Sequence, residues 1–394
     1  MPKTEMPDLS SPVTIIEPDR ARPGPADGVA LCLSGGGYRA MLFHLGALWR
    51  LNEAGCLPSI QRISSVSGGS ISAGVLGLNW SKLAFDADGV SRRFEAAVVA
   101  PIRSLAGKTI DEPAIIGGLL LPGSISERVA AAYKKHLFGD STLQDLPDDP
   151  PRFVINATNV QSGALWRFMK PYMRDYRVGE VRNPRIELAL AVAASSAFPP
   201  VLSPVRLNLR TTEFSPPGPG EDLHVEPYTT DVVLTDGGVY DNLGLETAWK
   251  RYNTVLVSDG GSGMRAEPEP KGDWPRHALR VYDLIDNQVR SLRKRQVVDS
   301  LKTGKRKGAY WGIGSDIAAY QLPDSLPLPI EKTTALANIA TRLKKLEPRL
   351  QEQLINWGYA VCDAAIRRHL NPGLPAPTGF PYSNLKRQPL AVRP

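Results

Sequence analysis

The sequence predicts an α/β fold with a mainly parallel central sheet. Two segments support this most directly, VALCLSGGG from residue 29 and RISSVSGGS from residue 62. Each passes from a short apolar or β-branched run into glycines and then into a helical pattern, which is typical of parallel strands joined by helices. Further strands are predicted at FVINATNV (153–160), ALWRFM (164–169), DVVLTDGG (231–238) and NTVLVSDGG (253–261).

The other segments are predicted to surround these strands. Residues 186–205 have a helical pattern that Pro199 and Pro200 should end, and residues 331–370 are helical with a break near Pro348. We expect one main domain with a helical extension packed on it. The predicted parts are a tail or arm (1–27), the domain (28–325) with a cap-like insertion (about 80–150) and a surface excursion (206–230), and the extension (326–394).

Composition narrows the class of protein. The chain has 394 residues, 42% hydrophobic and 22% charged, which is enough to bury a full core. No apolar run approaches the roughly 18 residues that a membrane span requires, and the start lacks the order of a secretory signal, so we expect a cytoplasmic protein. The three cysteines lack any paired spacing, and no acidic loop has calcium-ligand spacing. No metal or cofactor is therefore predicted.

Positive charge is concentrated in one segment. The formal net charge is +7, and residues 290–307 alone carry eight basic side chains against one acid. Such a run attracts phosphate-rich partners, although a solvated helix face is the simpler interpretation. Tyr310 and Trp311 follow the run, which favours docking to an anionic membrane rather than to a specific nucleic acid. The candidate membrane contacts are Arg293, Lys294, Arg295, Lys305, Arg306 and Lys307.

Gly35, Gly36 and Gly37 stand between the first strand and the first helix. Backbone amides at such a turn bind negative charge, either a phosphate or an oxyanion that develops during a reaction. The spacing also satisfies a dinucleotide-binding pattern, which requires an acidic residue at the end of the next strand. That strand ends in SSVSGGS (64–70) without an acid, so the second requirement of a dinucleotide-binding site is not met.

The second strand–helix turn is close to a nucleophile elbow. In a G-x-S-x-G elbow, small residues on both sides of the serine allow a sharp turn that exposes its hydroxyl. Here Ser65 occupies the first small position and Gly69 the second, which makes Ser67 the candidate nucleophile. Ser65 in place of glycine is the one departure from the strict pattern.

A serine nucleophile needs a base, and the sequence offers several. The five histidines (His44, His136, His224, His277 and His369) lie in helical or surface contexts rather than at strand ends. Asp236 and Asp259 each end a predicted strand and precede two glycines, and a buried aspartate can serve as base. A Ser-x-x-Lys arrangement at Ser291 and Lys294 lies inside the basic run and is interpreted as accidental.

Three motifs in this order resemble the patatin-like phospholipase family, which includes the cytosolic phospholipase A2 catalytic domains. They are SGGGYRAM from residue 34, SSVSGGS from residue 64 and DGGVYDNLGLE from residue 236, and ASSAFPPVLSPV from residue 194 is also similar. The resemblance covers roughly residues 28–265. It implies a three-layer α/β/α fold and hydrolysis of lipid esters without a cofactor.

The resemblance also implies a role for each motif residue. Ser67 attacks the ester carbonyl and Asp236 exchanges the proton, while Gly35, Gly36 and Gly37, with Arg39, support the oxyanion; an alternative role for Arg39 is a salt bridge that fixes the loop. Gly237, Gly238 and Asn242 support the dyad. The family's catalytic aspartate is followed closely by an asparagine, which favours Asp236 over Asp259.

The expected substrate is a membrane lipid, and the expected partner is a transient anionic membrane surface, so the protein is expected at the inner membrane surface. The apolar stretch at residues 114–125 is a candidate cap or acyl channel, or part of the core. Two alternatives stay open. One is an effector phospholipase activated by a ligand or partner. The other is a phosphate-binding or nucleotide-binding module, which leaves Ser67 and Asp236 without a role.

Overall fold

A ten-stranded sheet organises the computed structural model, which describes residues 25–112, 114, 124–148, 150–264 and 266–383. The strands of the described part are β1 (Ala26–Leu33), β2 (Ile60–Val66), β3 (Arg152–Asn159), β4 (Leu165–Phe168), β5 (Tyr172–Asp175), β6 (Gly179–Arg182), β7 (Val205–Asn208), β8 (Asp231–Asp236), β9 (Tyr252–Asp259) and β10 (Lys307–Gly312).

The order of the strands brings the predicted motifs to one edge. β10, β9, β1, β2 and β3 are neighbours and run parallel, whereas β4, β5 and β6 continue from β3 in antiparallel order. Leu33, at the end of β1, pairs with Ser65 of β2 and Ser258 of β9. The turns that follow β1, β2 and β9 therefore meet at the carboxyl edge of the parallel strands, where α/β folds place their sites.

β8 reaches the same edge from the opposite direction. It pairs antiparallel with β3, so that Asp236 lies opposite Ala157, and β7 pairs with its other side. The neighbouring Asn156 pairs with Val66, which directly precedes Ser67. The sheet register thus brings Asp236 close to the turn after β2.

Helices cover both faces of the sheet. Alternate residues of β1 point to opposite sides, with Leu31 and Leu33 in the larger apolar cluster and Ala30 and Cys32 in the smaller one. The predicted α/β/α class is confirmed. The helices are α1 (Gly37–Glu53), α2 (Gly68–Leu78), α3 (Ala100–Ala106), α4 (Ile125–Tyr133), α5 (Leu188–Ser195), α6 (Gly238–Asp241), α7 (Glu246–Trp249), α8 (Trp274–Lys302), α9 (Ile330–Ala337) and α10 (Pro348–His369).

The last helix packs directly on the first. A Cβ atom at Gly46 of α1 would lie 1.9 Å from the Ile355 carbonyl oxygen, and one at Gly358 of α10 would lie 1.8 Å from the Phe43 carbonyl oxygen. The two backbones touch where these glycines meet. A buried ion pair with a 2.8 Å separation joins Arg50 to Asp363 across the same interface.

Several segments differ from the sequence prediction. Residues 206–208, predicted as the start of a surface excursion, belong to β7, and β5, β6 and β10 were not predicted. The helical pattern at 338–347 is not helical in the structure, because its carbonyls accept hydrogen bonds from the Tyr38 amide, the Arg39 side chain and the Ile110 amide. Within the candidate cap at 114–125, residues 115–123 lie outside the described residues.

Candidate active site

The glycine-rich turn between β1 and α1 packs closely against two other turns. A Cβ atom at Gly35 would lie 2.4 Å from the Asn242 Oδ1 atom and 3.2 Å from the Ser67 Cβ atom. Gly37 has a φ of +58°, and a Cβ atom there would lie 2.6 Å from the Arg342 carbonyl oxygen. Since a larger residue would clash at both positions, glycine allows this close approach.

Of the backbone amides in this turn, those of Gly36 and Gly37 can bind a ligand, whereas those of Gly35 and Tyr38 are already used. The Gly35 amide donates to the Asn242 carbonyl at 3.0 Å, and the Tyr38 amide donates to another backbone carbonyl at 3.1 Å. The amides of Gly36 and Gly37, at the start of α1, donate to no acceptor within the described residues. The prediction of an oxyanion hole therefore applies to the Gly36 and Gly37 amides, whereas the Gly35 amide fixes the turn.

Ser67 occupies the sharp turn between β2 and α2. Its backbone has φ of 52° and ψ of −120°, a conformation that costs free energy for a residue with a side chain. The helix that follows starts against the glycine-rich turn. A Cβ atom at Gly68 would lie 2.2 Å from the Gly37 carbonyl oxygen, and one at Gly69 would lie 2.4 Å from the Leu33 carbonyl oxygen.

Ser65 is accommodated in the elbow by hydrogen bonding. Its hydroxyl donates to the Val154 carbonyl at 3.2 Å and accepts from the Ser70 hydroxyl at 3.0 Å. The side chain is fully buried. A serine can therefore replace the expected glycine because its polar atom has partners on both sides.

Asp236 ends β8 beside this turn. Its Oδ1 atom accepts a hydrogen bond from the Gly238 amide at 2.7 Å. Its Oδ2 atom is buried without a well-aligned donor among the described residues, and the Ser67 hydroxyl is close enough to influence the carboxyl. Burial raises the pKa of Asp236 to about 7, against smaller lowering effects of the Gly238 amide and the Ser67 hydroxyl.

The end of α5 connects Ser67 to Asp236. The Ser195 hydroxyl accepts a hydrogen bond from the Ser67 amide at 2.9 Å. The Ser195 carbonyl accepts from the Gly237 amide at 3.2 Å, and the Ala197 carbonyl accepts from the Asp236 amide at 3.0 Å. Sequence reasoning gave no role to Ser195, although the segment ASSAFPPVLSPV that contains it was singled out.

Asp259, the alternative base, is bound elsewhere. Its carboxylate lies 2.6 Å from the Lys294 Nζ atom and accepts hydrogen bonds from the Tyr310 hydroxyl at 2.8 Å and the Gly261 amide at 2.9 Å. Burial alone would raise its pKa, but the charges of Lys294 and Arg290 outweigh burial and hold that pKa well below its usual range. This carboxylate stabilises the turn after β9.

None of the five histidines lines the cavities beside Ser67. His44 is buried beneath the glycine-rich turn, where its Nε2 atom donates to the Ser34 carbonyl at 2.9 Å and its Nδ1 atom lies 2.8 Å from the Ser258 hydroxyl. Burial lowers the pKa of His44 to about 4. The imidazole therefore holds the turn in its neutral form.

Arg39 connects the glycine-rich turn to two other segments. Its guanidinium is buried and donates from Nε to the Gly260 carbonyl at 3.0 Å and from Nη1 to the Ile339 carbonyl. Segment 338–343 thereby crosses the turn, and the Arg342 side chain pairs with Asp111. Arg39 also lines the cavity beside Ser67. No role was predicted for residues 338–343, the segment that crosses the turn.

Two cavities meet at Ser67. The polar cavity, about 370 Å³, is lined by Asp236, Asn242 and several side chains of α8. The apolar cavity, about 300 Å³, is lined by Pro199, Pro200, Val201, Leu202 and Leu343. Ser67, Phe198 and Thr341 belong to both linings. An elongated molecule with a polar and an apolar end would place its middle at the Ser67 hydroxyl.

The basic run is partly used within the fold. Lys294 pairs with Asp259, and the Arg293 guanidinium lies 3.7 Å from the Asp241 carboxylate. The Arg306 guanidinium lies over the Trp249 ring, 5.2 Å from its centroid. Arg295, Lys305 and Lys307 are exposed. Three of the six candidate membrane contacts thus interact with other elements of the fold.

Among the described residues, no group of three or more His, Cys, Asp or Glu side chains is arranged to hold a metal ion. In the same part of the chain, every helix is too short or too polar to cross a bilayer.

Comparison with known proteins places these features in a family. The model of the family described as "Patatin-like phospholipase" matches residues 31–249. No match was found among curated proteins. Similar solved structures include human GIVD cytosolic phospholipase A2, with 12% identity over 87% of this chain and 59% of that one and a TM-score of 0.49.

VipD from Legionella pneumophila is 14% identical over 85% of this chain and 66% of its own, with a TM-score of 0.35. The type III effector protein ExoU is 12% identical over 88% of this chain and 54% of its own, with a TM-score of 0.31. The chain thus spans less than two thirds of each of these proteins. The family model matches more than half of the chain, and its match includes the glycine-rich turn, Ser67 and Asp236. The chain belongs to the patatin-like phospholipase family.

Proposed function

We propose that the protein is a lipid acyl hydrolase of the phospholipase A or lysophospholipase type, with Ser67 as nucleophile and Asp236 as base. One observation carries the proposal. The Ser67 hydroxyl stands at a strained turn beside a buried carboxyl whose Oδ2 atom has no aligned donor among the described residues. A hydroxyl and a base in this relation form the minimum required for nucleophilic catalysis.

The proposed reaction has two halves. In the first, Asp236 takes the proton of the Ser67 hydroxyl as Oγ attacks the ester carbonyl carbon, and the amides of Gly36 and Gly37 stabilise the negative oxygen. The intermediate expels the alcohol, which receives the proton from Asp236, and leaves an acyl group on Ser67. In the second half, water gives a proton to Asp236 and attacks the acyl carbon; Asp236 then returns the proton to Ser67 as the fatty acid leaves.

The pKa of Asp236 suits this role. A carboxyl with a pKa of about 7 binds the serine proton far more readily than an exposed aspartate would. Because the base must be ionised at the start of the cycle, the rate should rise through about pH 7. Asp259 has a lowered pKa and three bound partners, so it is the weaker candidate.

The two cavities suggest how a lipid would lie. We propose that the acyl chain enters the apolar cavity beside Pro200 and Leu343, while the alcohol part lies in the polar cavity. The ester carbonyl would then rest at Ser67, which lines both cavities. We also propose that residues 28–325 form the catalytic domain, with 326–394 as an extension of it.

The experiment is release of fatty acid from mixed phospholipid vesicles and of p-nitrophenol from a short-chain ester. Ser67→Ala and Asp236→Asn should each lower kcat on both substrates by roughly 10³-fold or more, because the two residues act as one unit. The matched control is Asp259→Asn, which removes a neighbouring carboxylate and should keep most of the activity. The wild-type rate on the soluble ester should increase between about pH 5 and pH 8.

Circular dichroism should show that all three variants remain folded. Activity that survives in Asp236→Asn and disappears in Asp259→Asn would assign the base to Asp259. Full activity in Ser67→Ala would refute the proposed nucleophile.

A further inference from the structure

Helix α8 exposes an unusual number of apolar side chains. Among the described residues, thirteen large apolar side chains are exposed, and seven of them lie on this one helix. Trp274 is 82% exposed, Ile285 60% and Leu292 57%. Only Val297 of the entire helix is buried. A helix on the surface of a globular domain normally turns such residues inward. The exposed apolar side chains of α8 therefore indicate a surface that contacts another molecule or segment.

The helix turns its polar face toward the protein and its apolar face toward solvent, which is the reverse of an ordinary surface helix. At 100° per residue, Trp274, Val281, Ile285 and Leu292 fall within about 40° of one another. Asp283, Asn287 and Arg290 fall on the opposite side of the helix and line the polar cavity. The polar face of α8 therefore forms a wall of the cavity beside Ser67, while the apolar face, defined here by Trp274, Val281, Ile285 and Leu292, points outward.

Exposed apolar side chains also occur in the linings of the two cavities. Three more of the thirteen exposed apolar side chains, Phe198, Val201 and Val239, line the polar or the apolar cavity. Because they are both exposed and part of a cavity lining, they lie at the cavity mouths. Ten of the thirteen exposed apolar side chains of the described residues therefore lie either on α8 or in the lining of a cavity beside Ser67.

Charge and residue type indicate what kind of partner the apolar face of α8 contacts. Arg295, Lys302 and Lys305 are exposed along and just after the C-terminal half of α8, and each can meet a phosphate group. Tryptophan at the start of the apolar face is the residue type that prefers the boundary between hydrocarbon and head groups. An amphipathic helix with an apolar face and flanking basic residues lies in the plane of a bilayer.

We infer that the apolar face of α8 docks on the surface of a phospholipid bilayer and thereby holds the protein at the membrane. The inference rests on the proposed function, since it brings the protein to the membrane that contains the proposed substrate. It assigns the contact mainly to apolar side chains of α8, with the exposed basic residues as secondary partners. A second copy of the chain or another segment of it are the alternative occupants.

The test compares two double variants of the full chain. Trp274→Ser with Ile285→Ser removes two side chains of the apolar face, neither of which lines a cavity. The control, Val160→Ser with Val225→Ser, removes two apolar side chains that lie off α8 and are 56% and 55% exposed. Binding is measured by flotation with phosphatidylcholine vesicles that contain phosphatidylserine, at low salt and at about 0.5 M NaCl. Size-exclusion chromatography and short-chain ester hydrolysis are measured on the same samples.

Docking by the apolar face predicts roughly tenfold weaker vesicle binding for the α8 variant and no change for the control. Wild-type binding should largely persist at high salt, because apolar contact is not screened. Unchanged vesicle binding by the α8 variant would overturn the inference. A wild-type dimer that the α8 variant converts to monomer would also overturn it, since a second copy would then cover the face.

The ester assay separates this inference from the proposed function. Loss of vesicle binding with unchanged soluble-ester hydrolysis supports both. Loss of vesicle binding by the α8 variant in a protein that hydrolyses no ester would support docking and refute the proposed function.

Discussion

The carboxyl of Asp236 sets the stability of the fold against the chemistry of the site. Its pKa of about 7 in the folded protein lies well above its ordinary value of 3.8. The neutral form therefore favours the folded state, and this contribution is complete below about pH 4 and is lost as the pH rises towards 7. The ionised form that the proposed reaction needs is the one that burial destabilises.

Replacing Asp236 by asparagine should consequently stabilise the protein where the carboxyl is ionised. At about pH 8 we expect Asp236→Asn to raise the free energy of unfolding by roughly 2–4 kcal/mol, and the gain should nearly vanish at about pH 4. Urea denaturation at both pH values measures this. The control, Asp259→Asn, should destabilise the protein at pH 8, because the lowered pKa of Asp259 means that its ionised form stabilises the fold. Equal unfolding free energies for wild type and Asp236→Asn at pH 8 would contradict the raised pKa.

Local patterns predict Ser67 and Asp236 because each stands at a turn whose geometry requires small neighbours. The glycines beside them are visible in the sequence for the same reason. Ser195 could not be found in this way, since its hydroxyl holds the amide of a residue 128 positions earlier in the chain. The sheet register and the path of α5 create that contact, and neither leaves a local pattern.

At the level of elements, strands that combine β-branched residues with glycine turns are predictable, whereas the short antiparallel strands β5 and β6 are not. β5 and β6 have four residues each and are held by pairing to a neighbour. Segment 338–347 reads as helical, yet its carbonyls serve the Tyr38 amide, the Arg39 side chain and the Ile110 amide. Tertiary hydrogen bonds displaced the helix that its residues favour.

The contact between α1 and α10 gives a prediction at this level. Gly46→Ala would place a Cβ atom 1.9 Å from the Ile355 carbonyl oxygen, so the two helices must separate. We expect a loss of about 2–3 kcal/mol in the free energy of unfolding, measured by urea denaturation. Gly314→Ala is the control, because nothing lies within 4 Å of its added Cβ atom and its φ is not positive. A Gly46→Ala variant as stable as the control would show that the helices do not touch there.

Across the whole molecule, burial is unevenly distributed. β1 lies between two apolar clusters and β2 contributes to the larger one. Both strands end in fully buried residues, whereas α8 contributes a single buried side chain. The α/β class was predictable because the parallel core repeats one strand–turn–helix pattern. The relation of α8 to the cavity was not, because its apolar face points away from the core.

Hydrogen exchange should reflect this division. We expect amides of residues 29–33 and 61–66 to exchange only through global unfolding, and those of residues 274–289 to exchange much faster through local opening. Mass spectrometry of peptides after timed exchange measures both regions in one experiment. Equal protection of the two regions would mean that α8 is held by contacts beyond those described.

The position of α8 along the chain also affects how this protein can evolve. The residues proposed to react lie inside the stretch that the family shares, residues 31–249, while one wall of the polar cavity comes from α8, beyond it. Mutations in that single helix would reshape the chamber beside Ser67 and leave the reacting groups untouched. Two descendants could then keep the same reaction and drift apart in the molecules they accept, and similarity over the shared stretch would not reveal the difference.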